Sequence, residues 1–296
     1  MFPVVQVPSR EAGIFEPLGT KAKFWFDDNR SLFKEGRVGT GENWAEVVCA
    51  ELAELLGLPH ASYRLAEFVD QGHVRRGVST PNFVPTNARL VLGNELIKPV
   101  ASFETAVRQI RRQEHTIRRI ATVMKMSSLL PPLDWTPPSG VEGAGGTMAG
   151  YLLLDALVAN QDRHEENWGL VVRDGRLYLA PTFDHASSLG RNERDEVRRK
   201  KLDATASDHS VVGYARRARS QIFSSDGARL TTHDAFRHIS AIFPSGAQFW
   251  LDRLGTLSEA SFRDVLNQVP NDWISETARE FAVQMLVTNR LALLEK

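Results

Sequence analysis

The sequence predicts an α+β protein in which a small β-rich lobe with one helix precedes a larger helical lobe. Two observations support the β-rich lobe. Short apolar runs separated by Gly, Pro and Asn fill most of the first hundred residues, and residues 42–56 alone in that region show helical apolar spacing. From about residue 102 the spacing becomes helical. We therefore expect one lobe at residues 1–98 and the other at residues 99–296.

Size and composition indicate an ordinary globular protein. The chain has 296 residues, of which 42% are hydrophobic and 24% charged, so a sizeable core is expected. Its 36 basic and 36 acidic residues balance, which removes net charge as an argument for binding nucleic acid or an anionic membrane. The single cysteine, Cys49, allows no internal disulfide. Without a long apolar run or an export signal, we expect a cytoplasmic protein with no membrane partner.

The first elements are a hairpin and a helix. The runs at residues 21–26 and 31–35 flank a polar turn, which is typical of two antiparallel strands. Residues 42–56 predict a helix that ends at Gly57, with Pro59 just beyond. Further strands are expected within 61–70, 73–79 and 88–93.

The second half of the chain is expected to be mainly helical. A segment rich in Pro and Gly, residues 131–146, precedes a strongly apolar helix at 147–159. After Asp184 we expect a loop and then only helices, with four aromatic core anchors: Trp250, Phe262, Trp273 and Phe281.

The polar loop after this apolar helix holds the candidate site. It contains Asp162, His164 and Asn167, and it is followed by two apolar runs joined by Asp174-Gly175, a strong hairpin signal. Asn167 and Asp184 are nearly equidistant from that turn, so we expect them to meet at its open end. Amide and carboxylate oxygens are ligands that Mg²⁺ accepts.

Asp162 and Asn167 have the Asp-x-x-x-x-Asn spacing of phosphotransferase catalytic loops. In such loops the Asp accepts the proton of the attacking hydroxyl, while the Asn holds metal. The alternative is that the two residues only cap a turn. The hairpin, the second acid at Asp184 and the supporting apolar helix favour the catalytic interpretation.

The segment resembles the HipA-like serine/threonine kinases, whose pattern is N-x-D-x-H-x-x-N, a hairpin and then L-x-P-x-x-D. The matching residues are Asn160, Asp162, His164, Asn167, Leu179, Pro181 and Asp184. The resemblance implies a two-lobed protein-kinase-like fold, Asp162 as catalytic base, and Asn167 and Asp184 as Mg²⁺ ligands. It extends more loosely over residues 15–190, and the last hundred residues match no motif.

The chain resembles the short branch of that family. Long members carry an extra amino-terminal module before the nucleotide lobe, and the sequence has no room for it. Toxin–antitoxin regulation is therefore not carried over to this chain.

A kinase also needs a lysine on the phosphates and a carboxylate that orients it. Lys34 is our candidate, because strand alternation separates it from its apolar neighbour Phe33. Helical spacing places Glu46 at the border of the apolar face of the 42–56 helix, where a carboxylate needs a partner. Lys21 and Lys23 remain rivals for the phosphate lysine. The alternative to a paired Lys34 and Glu46 is that Lys34 lies on an exposed edge and Glu46 is solvated.

The loop around Gly19, Thr20 and Lys21 is the candidate phosphate loop, with Gly13 upstream. It lacks a full G-x-G-x-x-G pattern, so a simple turn is the alternative. Two stretches, residues 108–119 and 191–201, are locally basic. Both stretches are expected to be solvated faces. For the second stretch the alternative is a site that binds an acidic substrate or a phosphoserine.

We therefore expect ATP- and Mg²⁺-dependent phosphoryl transfer to a protein Ser or Thr hydroxyl. The alternatives are a kinase of a small molecule or lipid headgroup, and a nucleotide-binding pseudokinase scaffold. The expected partners are ATP and a protein substrate, with no direct nucleic acid; a regulatory partner protein stays open.

Overall fold

The computed structural model describes residues 1–8, 23–97 and 114–295. Two larger sheets, one two-stranded hairpin and a set of helices make up these parts, with most strands early in the chain and most helices late. The predicted α+β class is therefore confirmed. None of the helices in these ranges is long and apolar enough to cross a membrane.

A five-stranded sheet forms the amino-terminal part, with the strand order β1-β4-β5-β3-β2. Its strands are β1 (Val4–Val7), β2 (Lys23–Phe26), β3 (Ser31–Glu35), β4 (Arg64–Asp70) and β5 (His73–Pro81). The predicted hairpin is β2–β3, and β1, which the sequence analysis did not foresee, pairs in parallel with β4. One face buries a cluster of aromatic rings that includes Phe24, Phe33 and Phe68.

Helix α1 (Glu42–Leu56) packs against this sheet through Val47, which contacts Leu65 of β4 and Val78 of β5. The helix has the predicted bounds. Gly57 ends it in the left-handed region, with φ of 78°, a conformation that glycine adopts without steric cost.

A second sheet has the order β6-β8-β9-β7. Its strands are β6 (Ala88–Leu92), β7 (Leu129–Leu130), β8 (Gly169–Arg173) and β9 (Arg176–Leu179). Asp174 and Gly175 form the predicted turn, with φ of 49° and 72°. Because β6 pairs with β8, residues on either side of the expected lobe boundary share one sheet. That boundary stays a prediction.

The remaining elements are short helices, one hairpin and four longer helices. The helices are α2 (Gly93–Leu96), α3 (Ile117–Met124), α4 (Gly143–Val158), α5 (Asp195–Leu202), α6 (Val211–Arg216), α7 (Thr232–Ile242), α8 (Pro244–Thr256), α9 (Glu259–Asn267) and α10 (Glu276–Leu294). Strands β10 (Arg219–Phe223) and β11 (Arg229–Thr231) form the hairpin. The expectation of only helices after Asp184 is wrong here, because β10 is held by a distant contact, the Phe223 N–H to the His115 carbonyl at 2.9 Å.

Helix α4 lies at the centre of the core. All of its residues from Ala144 onward are buried, which explains why it is apolar on every side. It begins at Gly143, inside the segment expected to be a break. This glycine-rich turn is helical because α8 packs closely against it. A Cβ on Gly246 of α8 would lie 2.5 Å from the Gly146 Cα, and the Trp250 indole N–H donates to the Gly146 carbonyl at 2.8 Å.

The four expected aromatic anchors are not equally buried. Trp250, Phe262 and Phe281 are fully buried. Trp273 is only partly buried, and the Arg76 guanidinium lies 4.6 Å from the centre of its ring. Trp273 therefore sits at the edge of the core.

Candidate active site

Lys34 lies between two carboxylates. In β3 its neighbour Phe33 points into the aromatic cluster, so Lys34 points to the opposite face, toward α1. Its Nζ lies 2.5 Å from Asp184 Oδ1 and 3.5 Å from Glu46 Oε2. Burial would lower the pKa of Lys34, but Asp184 and Glu46 raise it above its ordinary value, so the ammonium is charged.

Glu46 is fully buried on α1 and serves two partners. Its Oε2 faces Lys34, and its Oε1 accepts the backbone N–H of His185 at 2.6 Å. The structure thus brings Lys34 and Glu46 together as the sequence analysis expected. Lys23, a rival, is the cross-strand neighbour of Lys34, but Lys34 meets the two carboxylates.

Asp184 has a backbone conformation unusual for a non-glycine residue, with φ of 58°. Its N–H donates to the Tyr63 hydroxyl at 3.2 Å, and its side chain remains 31% exposed. The preceding residue, Phe183, stacks on Phe83 with ring centres 5.5 Å apart. Such strained conformations persist where the surrounding contacts hold them, and they cluster at functional sites.

The predicted catalytic loop starts at Ala159, which ends α4 in the left-handed region with φ of 53°. Two asparagines then fix its shape. Asn160 Oδ1 accepts the Asp162 N–H at 3.1 Å, and the Asn167 amide donates to the Asp162 carbonyl at 2.7 Å. The Asp162 carboxylate is left 44% exposed, so the loop presents it to solvent rather than using it as a cap.

Around that carboxylate lie a serine and a histidine. The Ser187 hydroxyl donates to Asp162 Oδ2 at 3.4 Å, and His164 Nε2 lies 3.9 Å from Oδ1. Ser187 in turn accepts a hydrogen bond from Arg191 at 2.9 Å. The arrangement orients Asp162 and leaves it able to accept a proton from a ligand.

Arg163 is a functional candidate that the sequence analysis missed. It is only 1% exposed and makes a two-point ion pair with Asp155 of α4, at 2.7 and 2.8 Å. It also donates to the Asn167 carbonyl at 2.5 Å and to the Thr182 hydroxyl at 2.9 Å. The signal in the sequence was Asp155 itself, an acid in the middle of an apolar helix that must have a buried partner.

His185 is the fourth residue that this arginine contacts. Its Nε2 accepts from Arg163 at 3.1 Å and from the Thr182 hydroxyl at 2.8 Å. Burial and the neighbouring Arg163 hold the pKa of His185 well below its ordinary value, so the ring is neutral. Because the His185 N–H is bonded to Glu46, these contacts connect the polar loop to α1.

The two predicted metal ligands lie at the open end of the β8–β9 hairpin. The ladder pairs Leu170 with Leu179 and continues through the Ala180 N–H to the Gly169 carbonyl. Extended beyond these pairs, the register puts Thr182 level with Asn167, and Asp184 lies two residues farther along the chain. Arg163 donates to the Asn167 carbonyl and the Thr182 hydroxyl and so joins the two flanking segments.

The donors at this end fit Mg²⁺. The Asn167 side chain donates its amide N–H to the Asp162 carbonyl, so its side-chain oxygen is the atom that would bind a metal. Asp184 supplies a partly exposed carboxylate. Both are hard oxygen donors, and phosphate or water would complete the coordination. Within the described ranges no group of three or more His, Cys, Asp or Glu residues is arranged for a metal. An Asn–Asp pair that shares a metal with phosphate needs no such group.

The candidate phosphate loop lies outside the described residues. Gly13, Gly19, Thr20 and Lys21 all fall there, and so does the first half of the basic stretch at 108–119. Their assignment stays a prediction.

No protein-family model and no curated protein matches the sequence. Among solved structures, the fold is similar to that of CtkA, a proinflammatory kinase of Helicobacter pylori. The two share 16% identity and a TM-score of 0.67, over 98% of this chain and 94% of that one. HipA from Shewanella oneidensis MR-1, solved in a toxin–antitoxin complex with HipB and its operator DNA, aligns with 10% identity and a TM-score of 0.47 over 95% of this chain and 65% of that one. The alignment with CtkA spans both the β-rich and the helical parts, and it confirms the kinase-like fold expected from the sequence: this chain has the fold of the CtkA kinase.

Proposed function

We propose that this protein is an ATP- and Mg²⁺-dependent kinase of the HipA-like type that phosphorylates Ser or Thr hydroxyls of proteins. One observation carries the proposal: a buried, charged lysine lies between a helix carboxylate and a partly exposed aspartate, beside a loop that presents a second aspartate. Lys34, Glu46, Asp184 and Asp162 are these residues. A phosphoryl-transfer site needs this combination of a phosphate-binding cation, a metal ligand and a base.

The proposed step uses the residues as follows. The acceptor hydroxyl oxygen forms a bond to the γ-phosphorus of ATP, the bond from that phosphorus to the ADP oxygen breaks, and Asp162 takes the hydroxyl proton. Lys34, oriented by Glu46, stabilises phosphate oxygens. Asn167 and Asp184 would hold Mg²⁺, which neutralises charge on the phosphates when it is bound.

A protein acceptor is supported by one likeness: the motif that runs from Asn160 to Asp184 resembles that of the HipA-like serine/threonine kinases. The similarity of the fold to that of a kinase supports phosphoryl transfer, and the experiment below measures the acceptor.

The experiment combines transfer with binding. The full chain is incubated with γ-labelled ATP and Mg²⁺, alone and with a mixture of proteins, and its thermal shift with MgATP is recorded in parallel. Asp162→Asn should reduce transfer about 10²-fold or more while the MgATP thermal shift persists, since the base acts only in the chemical step. Asp174→Asn is the matched control, because it makes the same change at an exposed turn of the adjoining hairpin.

Three outcomes would contradict parts of the proposal. A wild-type protein with no MgATP thermal shift and no transfer contradicts the kinase assignment. Transfer that is unchanged in Asp162→Asn removes the base. Label that appears only on small molecules or lipid leaves the kinase but excludes the protein acceptor.

A further inference from the structure

Helix α1 carries two buried glutamates one turn apart, Glu42 and Glu46. Residues four apart lie on the same face of a helix, and both of these side chains reach the segment that follows Asp184. Glu46 accepts the His185 N–H, and Glu42 is paired with Arg191. In the proposed step Glu46 orients the phosphate lysine, whereas Glu42 has no part.

Arg191 is held by its main chain and by its side chain. Its carbonyl accepts the N–H of Gly41, the residue before α1 begins, at 2.9 Å. Its Nη1 is paired with the Glu42 carboxylate, and its Nη2 donates to the Ser187 hydroxyl at 2.9 Å. The side chain is 12% exposed, and a planar guanidinium with a partner on each of two nitrogens is fixed in one orientation.

The direction of the next hydrogen bond follows from the chemistry of the groups. A guanidinium only donates, so the Ser187 oxygen accepts from Arg191 and its single proton is available to Asp162 Oδ2, 3.4 Å away. Hydrogen bonds that serve catalysis are often this long until substrate binds. The Ser187 carbonyl accepts the Gln161 N–H at 3.1 Å, which keeps the hydroxyl beside the catalytic loop. Arg191 and Ser187 therefore form a polar bridge from α1 to that loop.

We propose that Glu42 is a positioning residue for Asp162 and acts on it through this polar bridge. The inference rests on the proposed function and adds positioning residues to it. Helix α1 then orients both charged groups of the reaction, the phosphate lysine through Glu46 and the base through Glu42. Ser187 donates to Oδ2 of the base, which leaves Oδ1 to take the proton of the acceptor hydroxyl. A base that is held in its working orientation lowers the barrier to the chemical step.

The experiment makes the same substitution in two largely buried arginines of one segment. Arg191→Lys keeps the charge, but a compact ammonium does not contact Glu42 and Ser187 in the manner of a planar guanidinium. Arg198→Lys is the matched control. Arg198 is 7% exposed and also holds the backbone of this segment, because it donates to the Gly190 carbonyl at 3.1 Å.

The measurement is the initial rate of transfer from γ-labelled ATP to a mixture of proteins, with the full chain and a range of MgATP concentrations. Arg191→Lys and Ser187→Ala should each lower the apparent kcat about tenfold, while the KM for ATP changes less than about twofold. The MgATP thermal shift should persist in both variants. Arg198→Lys should keep the apparent kcat within about twofold of the wild type.

The conservative variant Ser187→Thr should restore the rate to within about threefold of the wild type, because it keeps the hydroxyl. Ser187 lines a cavity of about 290 Å³ beside Asp162, which has room for the added methyl group. Ser188→Ala removes a hydroxyl from the next residue, which is buried and makes no hydrogen bond to Asp162 in the described part of the chain. It should leave the rate unchanged.

Double variants separate positioning from a structural role. In Asp162→Asn the base is absent, so adding Ser187→Ala or Arg191→Lys should lower the rate less than about twofold further. Glu42→Gln should lower the apparent kcat about threefold or more in the wild-type chain, but less than about twofold in Ser187→Ala. A structural effect would be the same in every background.

Each outcome supports or overturns the inference. A normal apparent kcat in Ser187→Ala overturns it and leaves the kinase in place, and this variant decides the matter if Arg191→Lys does not fold. Equal losses in the Asp162→Asn background, an equal loss in Arg198→Lys, or a Glu42→Gln effect that is unchanged in Ser187→Ala also overturns it. A wild-type chain that transfers phosphate to no protein contradicts the proposed function itself.

Discussion

Arg163 and Asp155 form a two-point ion pair, at 2.7 and 2.8 Å, in which both side chains are buried. The pair joins the central helix to the polar loop. The same guanidinium reaches the Asn167 carbonyl and the Thr182 hydroxyl, so it sets the spacing between the segments that carry the two proposed metal ligands.

We therefore predict that Arg163→Lys weakens the Mg²⁺ response, because a compact ammonium cannot contact all of these partners. The Mg²⁺ concentration needed for half of the ATP thermal shift should rise about 10- to 100-fold, the scale found for groups that orient metal ligands. Arg163→Met should also lower the free energy of unfolding by about 3–5 kcal/mol, since it leaves Asp155 buried without its cation.

Arg279→Met is the control for loss of a buried arginine. Arg279 is 7% exposed and donates mainly to backbone carbonyls near α9, among them that of Val269 at 3.3 Å. It should destabilise the protein without changing the Mg²⁺ response. A normal Mg²⁺ response in Arg163→Lys would mean that the arginine is only structural.

A second prediction concerns Asp184. Asp184→Asn should remove the extra thermal stabilisation that Mg²⁺ adds to ATP, because the protein is stabilised only by ligand that it binds. Asn tolerates the positive φ of this position, so the backbone should be kept. Asp174→Asn, at another aspartate with positive φ, is the control. Persistence of the Mg²⁺ increment in Asp184→Asn would exclude this ligand.

A third prediction tests the contact between Lys34 and Glu46. Lys34→Ala and Glu46→Gln should each reduce phosphoryl transfer, and the double variant should lose less than the sum, with a coupling of about 0.5–3 kcal/mol. Glu46→Gln is preferred to Glu46→Ala because its amide oxygen can still accept the His185 N–H. Lys34→Arg should also fail, since a planar fork does not replace an ammonium.

Lys23→Ala is the control for that cycle, because Lys23 is the direct cross-strand neighbour of Lys34. It should keep most of the activity. If Lys23 were the essential lysine, or if the Lys34 and Glu46 effects were simply additive, the assignment of the phosphate lysine would be wrong.

A fourth prediction is a loss of stability in mild acid. Burial lowers the pKa of His115 to about 4. Its Nε2 accepts the Trp168 indole N–H at 3.0 Å, so the proton is on Nδ1, which donates to the Gln221 carbonyl at 3.0 Å. Above the ordinary pKa of histidine, about 6.5, neither state binds a proton, and stability does not depend on this group.

Between pH 6.5 and about 4 the unfolded chain binds a proton at His115 that the folded chain does not. Because of His115, the free energy of unfolding should fall by about 1.4 kcal/mol for each pH unit, or about 3 kcal/mol over the whole range. The lowered pKa of His185 lowers the stability further in the same direction. Urea unfolding across this range measures the slope. His115→Gln should make the slope shallower, and the part that His185 contributes should remain. His73→Gln is the control at an exposed position. An equal slope in His115→Gln would contradict the assignment.

The sequence was informative where interactions are local. Helical spacing and Gly57 predicted α1 with its bounds, and Asp174-Gly175 predicted the β8–β9 turn. The same local rules placed Lys34 and Glu46 toward each other, because strand alternation and helix periodicity decide which way each side chain points.

Contacts between distant segments were beyond those rules. The parallel pairing of β1 with β4 joins strands far apart in sequence. The β10–β11 hairpin is held by the distant contact from the Phe223 N–H to the His115 carbonyl. Gly143 and Gly146 were interpreted as part of a break, yet they lie in the first turn of α4, which packs so closely against α8 that a Cβ on Gly246 would lie 2.5 Å from the Gly146 Cα.

For the site, the sequence by itself determined the residue types and their order: a lysine on an early strand, a glutamate on the next helix, and an Asp, an Asn and a second Asp around one hairpin. The tertiary structure decided that Asp184 meets Lys34, across 150 residues, and that Arg163 is the buried cation linking loop, hairpin and helix. A buried charge is stable only with partners that folding brings together, and those partners are set by packing rather than by spacing along the chain.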